Sequence, residues 1–121
     1  LLAQEGIGCI AFSPLAQGML TDRYLDGVPP DSRAAKPHTG LTPAAITEDV
    51  LEKLHLLEPI ARERGQTLAQ MALSWLLKDP RVTSVLVGVS QPRQLEDNLG
   101  CLGHAAFSQE ELDRIDGILK E

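Results

Sequence analysis

Two polar segments, each following an apolar run, hold the residues best suited to bind an anionic ligand. The first, Phe12 to Tyr24, begins at the end of the apolar run 7–12, and the second, Gly88 to Asn98, follows the mostly apolar run 82–87. A strand that passes through a tight turn into a helix directs several N–H groups and the positive end of the helix dipole at one spot. Pro92 is typical of the first turn of such a helix. The pattern therefore indicates a phosphate site.

The first segment combines a hydroxyl, a flexible turn and a cation. Ser13 can donate a hydrogen bond, Gly18 permits a close backbone approach, and Arg23 can reach an anion. Ligands of α/β proteins bind beyond the carboxyl ends of strands, which is where this segment begins. Taken alone, it fits an ordinary connection between a strand and a helix equally well.

The second segment offers donors and acceptors on one predicted helix face. Ser90 can cap the helix or donate to an anion, and Gly88 before it allows close approach. Gln94 and Asn98 are four residues apart and share a face, with Asp97 beside them. Amides with a carboxylate suit an adenosine and its ribose. Taken alone, these residues fit a solvated helix face.

Composition describes a soluble globular chain and excludes several classes of partner. The 121 residues are 43% hydrophobic and 23% charged, with a formal net charge of −6. This balance gives no general attraction to nucleic acid or to an anionic membrane, so any anion site must be local. Cys9, Cys101 and the three histidines show neither metal-site spacing nor a disulfide framework. We expect a cytoplasmic protein with no metal and no membrane span.

Apolar spacing predicts two strands, at 7–12 and 82–87, separated and followed by helices. Helices are predicted at 47–64, 67–77 and 92–102, and a final one begins after Ser108. Thr67 with Gln70, and Ser108 with Glu111, are typical capping boxes. The segment 25–43 contains four prolines and is predicted to be a long, flexible loop.

This order predicts an α/β fold with parallel strands joined by right-handed crossovers. Two strands alone make a poor parallel sheet, because parallel sheets are buried on both faces. About a quarter of a (β/α)8 barrel fits this pattern. Residues 1–6 are typical of the last turn of a helix with Gly6 as its C-cap, which predicts that part of the fold lies upstream.

Both segments together resemble the cofactor-binding signatures of the aldo-keto reductase superfamily. The resemblance extends over all 121 residues and includes the segments Gly27 to Arg33 and Gln70 to Leu77. It is closest to the branch that holds L-glyceraldehyde 3-phosphate reductases and potassium channel β subunits. The resemblance implies that residues 1–121 form the C-terminal portion of one TIM barrel domain, with its seventh and eighth strands and their helices.

The resemblance also assigns residues to NADP(H). Phe12 would lie near the nicotinamide, while Arg33 would close over the cofactor from the long loop. The nicotinamide ribose and the pyrophosphate would be wrapped by Ser13, Pro14, Leu15, Gln17 and Gly18. Thr21 and Arg23 would flank the pyrophosphate. Arg23 stands where relatives often have lysine, so the cation is kept with a different geometry.

At the adenosine end, the resemblance implies that Gly88, Ser90 and Gln94 hold the 2′-phosphate. Asp97 and Asn98 would contact the adenine. Asp97 stands where relatives usually have glutamate, and its shorter side chain reaches less far. These residues imply a preference for NADPH over NADH.

The family's catalytic Asp, Tyr, Lys and His come from the first barrel strands, and no segment here matches them. Tyr24, the one tyrosine, lies outside the family's catalytic segment. The resemblance thus implies the cofactor-binding part of an NADPH-dependent reductase of aldehydes or ketones, with the isolated chain inactive. The alternative is a non-catalytic, NADP-sensing regulatory subunit. Expected partners are a small carbonyl substrate, the remainder of the barrel and, through exposed strand edges, further copies of the chain.

Overall fold

The computed structural model describes residues 1–120 and contains an α/β arrangement of two strands and four α-helices. The elements in chain order are β1 (Cys9–Phe12), α1 (Glu48–Glu63), α2 (Leu68–Leu77), β2 (Val82–Leu86), α3 (Pro92–Leu99) and α4 (Gln109–Lys120). Most boundaries lie within one residue of the predictions, and two differ by more. β1 starts two residues later than expected, and α3 ends at Leu99 and continues as the 3-10 turn Gly100–His104.

The two strands pair in parallel, as predicted. Cys9 lies opposite Val82 and Phe12 lies opposite Leu86, with an irregularity after Cys9. At this irregularity the Cys9 N–H donates to the hydroxyl of Thr83 at 3.1 Å. Because parallel strands run the same way, the carboxyl ends of β1 and β2 meet at one edge of the sheet.

One face of the sheet lies open. Ile10, Phe12 and Leu86 are 62%, 80% and 58% exposed, whereas Cys9 and Ala11 on the alternate face are half-buried. Parallel sheets are normally covered on both faces. This open apolar face and the β–α–β order fit part of a TIM barrel.

The main core lies between α1, α2 and α4. Its buried members are Leu54, Leu57, Ile60, Ala61, Leu68, Met71 and Ile115. No helix among residues 1–120 combines the length and apolar character that a membrane crossing requires.

Local capping fixes the ends of these helices. The Thr67 hydroxyl accepts from the Gln70 N–H at 3.2 Å, and Gln70 Oε1 accepts from the Thr67 N–H at 3.0 Å, which confirms the capping box. Ser108 and Glu111 make the equivalent pair of contacts at 3.1 and 2.8 Å. Gly65, with a φ of +69°, ends α1 in a left-handed turn that glycine adopts without a steric penalty.

The segment 25–43 carries its own small core. Tyr24 is 0% exposed and is packed with Ala34 and Leu41. Its phenolic oxygen accepts from the Ala34 N–H at 3.3 Å. A short 3-10 turn, Arg33–Ala35, forms beside this contact. The flexibility expected for this segment stays a prediction.

Candidate functional site

The two predicted binding segments leave the sheet side by side. Phe12 is the last residue of β1 and pairs with Leu86, the last residue of β2. Ser13 and Gly88 therefore follow neighbouring strand ends. The fold brings together the two segments that the sequence singled out, at the edge where α/β proteins bind ligands.

The first segment is a turn with an unusual backbone. Ser13, Ala16 and Gln17 have φ angles of 52°, 48° and 60°, and Gly18 follows at 98°. A left-handed conformation costs about 1–2 kcal/mol for each residue that has a side chain. Such strained residues cluster at ligand-binding sites. Three of them within five positions mark this turn as a candidate site on structural grounds.

The side chains of Thr21 and Arg23, which follow the turn, form hydrogen bonds and an ion pair with nearby residues. The Thr21 hydroxyl donates to the Gly18 carbonyl at 2.6 Å and accepts from the Arg23 N–H at 3.2 Å. Arg23 Nη2 pairs with the Asp31 carboxylate at 3.0 Å, and both side chains are exposed, at 40% and 79%. Exposed pairs are weak, so the guanidinium can exchange Asp31 for a phosphate.

The other four predicted residues of this half, from the turn and the long loop, differ in their surroundings. Arg33 is exposed, and its guanidinium makes no hydrogen bond or ion pair with any residue of the range 1–120. The Gln17 side-chain amide lies directly over Gly40, so it joins the turn to the long loop. Pro14 and Leu15 are half-buried at the base of the turn.

The second segment gathers three donors on one oxygen. Gln94 Oε1 accepts from the Ser90 N–H at 2.7 Å, the Ser90 hydroxyl at 3.1 Å and the Gln91 N–H at 3.3 Å. The N-cap of α3 is Gln91, so the expectation that Ser90 caps the helix is corrected: Ser90 lies one position earlier. Donors converging at a helix N-terminus form the geometry that binds an anion. The Gln94 carbonyl oxygen fills that place here.

The two predicted adenine contacts lie at the other end of α3. Asn98 is 8% exposed and is the buried residue of this helix. The Asp97 carbonyl and carboxylate both accept from Gln70 Nε2, at 2.7 and 3.3 Å. Asp97 is thus engaged with α2.

Comparison with known proteins decides the family. The aldo/keto reductase family matches residues 1–120. The chain belongs to the aldo/keto reductase family. It is 57% identical over 118 residues to an L-glyceraldehyde 3-phosphate reductase of Escherichia coli O157:H7, covering 95% of this chain and 34% of the relative. The corresponding protein of strain K12 is 55% identical over 118 residues, with the same coverage of both chains.

Potassium channel subunits are also among the relatives. A probable voltage-gated potassium channel subunit beta of Arabidopsis thaliana is 42% identical over 101 residues, covering 82% of this chain and 31% of that protein. The predicted branch of the family is therefore confirmed. The chain spans about a third of the length of these curated relatives, 34% of the E. coli reductases.

Tyr24 has a structural role in this aldo/keto reductase chain. It is the one tyrosine of the sequence, is fully buried and accepts a hydrogen bond from the Ala34 N–H. A general acid for a carbonyl must reach the substrate oxygen. Tyr24 instead supports the loop beside the candidate site.

Sequence reasoning missed a buried polar cluster that holds the chain after α3. The Arg64 side chain is 0% exposed and donates to the Glu111 carboxylate at 2.8 Å and to the His104 carbonyl at 2.7 Å. Its guanidinium also lies 3.7 Å from the centre of the Phe107 ring. Burial opposes ionisation of Glu111, but hydrogen bonds from Ser108 and Arg64 outweigh it and lower the pKa of this carboxyl.

Proposed function

We propose that this chain forms the cofactor-binding part of an NADPH-dependent reductase of aldehydes or ketones. The observation that carries the proposal is the convergence of three donors on Gln94 Oε1, beside the strained turn 13–18. A 2′-phosphate would displace this oxygen and accept the same hydrogen bonds. The Gln94 amide would then turn and donate its own N–H to the phosphate.

The rest of the cofactor fits the surfaces around these donors. Phe12, 80% exposed at the end of β1, offers a ring face to the nicotinamide. The left-handed turn would hold the ribose and pyrophosphate, with Thr21, Arg23 and Arg33 supplying donors and positive charge. Asp97 and Asn98 would border the adenine. When bound, NADPH supplies the hydride, and these residues bind and orient it.

The open face of the sheet supports a role within a larger barrel. We propose that Ile10, Phe12 and Leu86 face the interior of a barrel completed by further strands. Their exposure leaves apolar surface in water, at a cost of roughly 25 cal/mol per Å². The reductase relatives, about three times as long as this chain, support this assembly.

The 2′-phosphate assignment can be tested by removing its donors. In the full-length protein that carries this chain, the double variant Ser90→Ala, Gln94→Ala should raise the Kd of NADPH about tenfold, or about 1.4 kcal/mol. The Kd of NADH should change less than about twofold, because NADH lacks the phosphate that these donors bind. Fluorescence titration with each cofactor measures both values.

A matched control is Gln109→Ala on α4, whose amide donates to Asp113 at 2.9 Å, away from α3. This variant should leave both Kd values unchanged. Equal losses of NADPH and NADH affinity in the double variant would refute the assignment. Tight NADPH binding without reduction of any aldehyde or ketone would favour a regulatory subunit over a reductase.

A further inference from the structure

A row of three polar side chains on and before α2 faces the end of α3. Gln66, Gln70 and Ser74 are spaced four residues apart, which places successive members on one side of a helix. We refer to these three residues as the α2 polar row. Gln66 precedes the N-cap Thr67, and the other two lie within the helix.

Each member of the α2 polar row donates to a different backbone carbonyl. Gln70 Nε2 donates to the Asp97 carbonyl at 2.7 Å, and Ser74 Oγ donates to the Cys101 carbonyl at 2.8 Å. Gln66 Nε2 donates to the His104 carbonyl at 3.1 Å. The Asp97 carbonyl also accepts from the N–H of the C-cap Gly100, so Gln70 provides it with a second donor. The row supplies partners at the end of α3 and along the turn that follows.

Two members of the row are buried, whereas Gln70 is half-buried and its contact with Asp97 is exposed to solvent. Ser74 is 0% exposed and Gln66 is 8% exposed. Gln66 also donates to the Ser74 hydroxyl at 3.0 Å, while its Oε1 accepts from Arg64 Nε at 2.9 Å. Gly100 lies so close to Gln70 Nε2 that a Cβ at this position would overlap it. The end of α3 is therefore seated directly on α2.

This seating connects the row to the candidate phosphate site. α3 is a helix of eight residues. Gln70 holds its C-terminal end at Asp97, and the other two members of the row hold the 3-10 turn that follows. Gln94 lies in its first turn and Ser90 just before its N-cap. α2 is anchored in the main core through Leu68 and Met71. Loss of these contacts would allow the short helix to tilt and its N-terminus to move.

We propose that the α2 polar row positions the N-terminus of α3 and thereby sets the affinity for NADPH without touching the cofactor. Gln66, Gln70 and Ser74 are thus positioning residues. The inference rests on the proposed function, in which Ser90 and Gln94 hold the 2′-phosphate.

Two substitutions test the row in complementary ways. Gln70→Glu keeps an acceptor for the Thr67 N–H, since glutamate is favoured at this capping position, but it loses the donor to Asp97 and faces its carboxylate. Ser74→Ala removes a donor without changing charge. Gln109→Glu, in the first turn of α4, makes the same charge change as Gln70→Glu and is its matched control.

The measurements are made on the full-length protein that carries this chain. Both row variants should raise the Kd of NADPH about tenfold, with a smaller rise for NADH and with kcat at saturating NADPH within about twofold of wild type. Without cofactor, hydrogen exchange of the Ser90 and Gln91 amides should be faster in both variants, because the convergence on Gln94 is loosened. Gln109→Glu should change none of these values.

Unchanged NADPH affinity in both row variants would overturn the proposal, even if their melting temperatures fall. A loss of affinity in Gln109→Glu equal to that in Gln70→Glu, with none in Ser74→Ala, would also overturn it, because net charge would then explain the effect. A wild-type protein that binds neither cofactor would overturn the proposed function instead. The exchange of the Ser90 and Gln91 amides would still show whether the row fixes α3.

Discussion

At the scale of single residues, Arg64 shows how a buried charge is accommodated. Its guanidinium is surrounded by the carbonyls of His104 and Ala106, the Gln66 side chain and the Glu111 carboxylate. An uncompensated buried charge is strongly destabilising, so each of these partners matters for stability. The arrangement joins the end of α1 to the connection between α3 and α4.

Glu111 makes this cluster sensitive to acid. Its pKa in the folded protein is lowered from the ordinary value of 4.5, so its contribution to stability is complete above that value and is lost as pH falls through the lowered pKa. Between about pH 5 and pH 3 the wild type should therefore lose more free energy of unfolding than Glu111→Gln. At pH 7 the variant should be less stable by about 1–3 kcal/mol. Urea unfolding at both pH values measures the difference, and an identical pH dependence would contradict it.

At the scale of elements, the turn 13–18 combines strain with a well-defined geometry. Ala16 has a φ of 48°, where the Cβ of an L-residue is crowded. The turn is held by hydrogen bonds from the Ala16 N–H to the Ser13 carbonyl at 3.0 Å and from the Leu20 N–H to the Leu15 carbonyl at 3.1 Å. The surrounding contacts therefore impose a conformation that the local sequence disfavours.

Substitution of Ala16 should reveal this strain. Ala16→Gly should raise the free energy of unfolding by up to about 1 kcal/mol, because relief of the left-handed strain exceeds the added entropy of the unfolded chain. Ala16→Val should lower it by about 1–2 kcal/mol, since β-branched residues fit this region poorly. The control Ala45→Gly, in a turn with negative φ, should be destabilising. Urea unfolding measures these free energies, and a lower free energy of unfolding for Ala16→Gly would contradict the inference that Ala16 is strained.

Local signals explain why the sequence predicted some elements well. The capping boxes at Thr67 and Ser108 lie within four residues, the first strand is a continuous apolar run, and the second is mostly apolar. The contact from Gln70 to Asp97 joins residues 27 positions apart, and no local pattern specifies it. The four-residue spacing of Gln66, Gln70 and Ser74 was visible, but it equally fits an ordinary helix face. The left-handed backbone at Ser13 and Gln17 left no signal, since neither residue is glycine.

At the scale of the whole molecule, the proposed binding segments carry charges of both signs. Arg23 and Arg33 lie in the first segment and its long loop, as do Asp22, Asp26 and Asp31. Because the net charge of the chain is −6, attraction of the proposed anionic cofactor must come from individual guanidinium groups. The open apolar face, with Ile10 and Leu86, supports packing against further strands or another copy of the chain.

The separation of the proposed cofactor site from the family's catalytic residues predicts that the 121-residue chain alone will not reduce carbonyl compounds. The proposed phosphate donors lie at the N-terminus of α3, but the one tyrosine is buried at Tyr24 and cannot protonate a bound substrate. Purified chain mixed with NADPH and an aldehyde should show no oxidation of NADPH above the rate without protein, measured by absorbance. Circular dichroism serves as the control, because a helical spectrum shows that inactivity does not result from unfolding. If the chain reduced the aldehyde and Tyr24→Phe did so at the same rate, a general acid would have to lie elsewhere in this chain. That result would contradict the proposal that this chain binds the cofactor but does not catalyse the reaction.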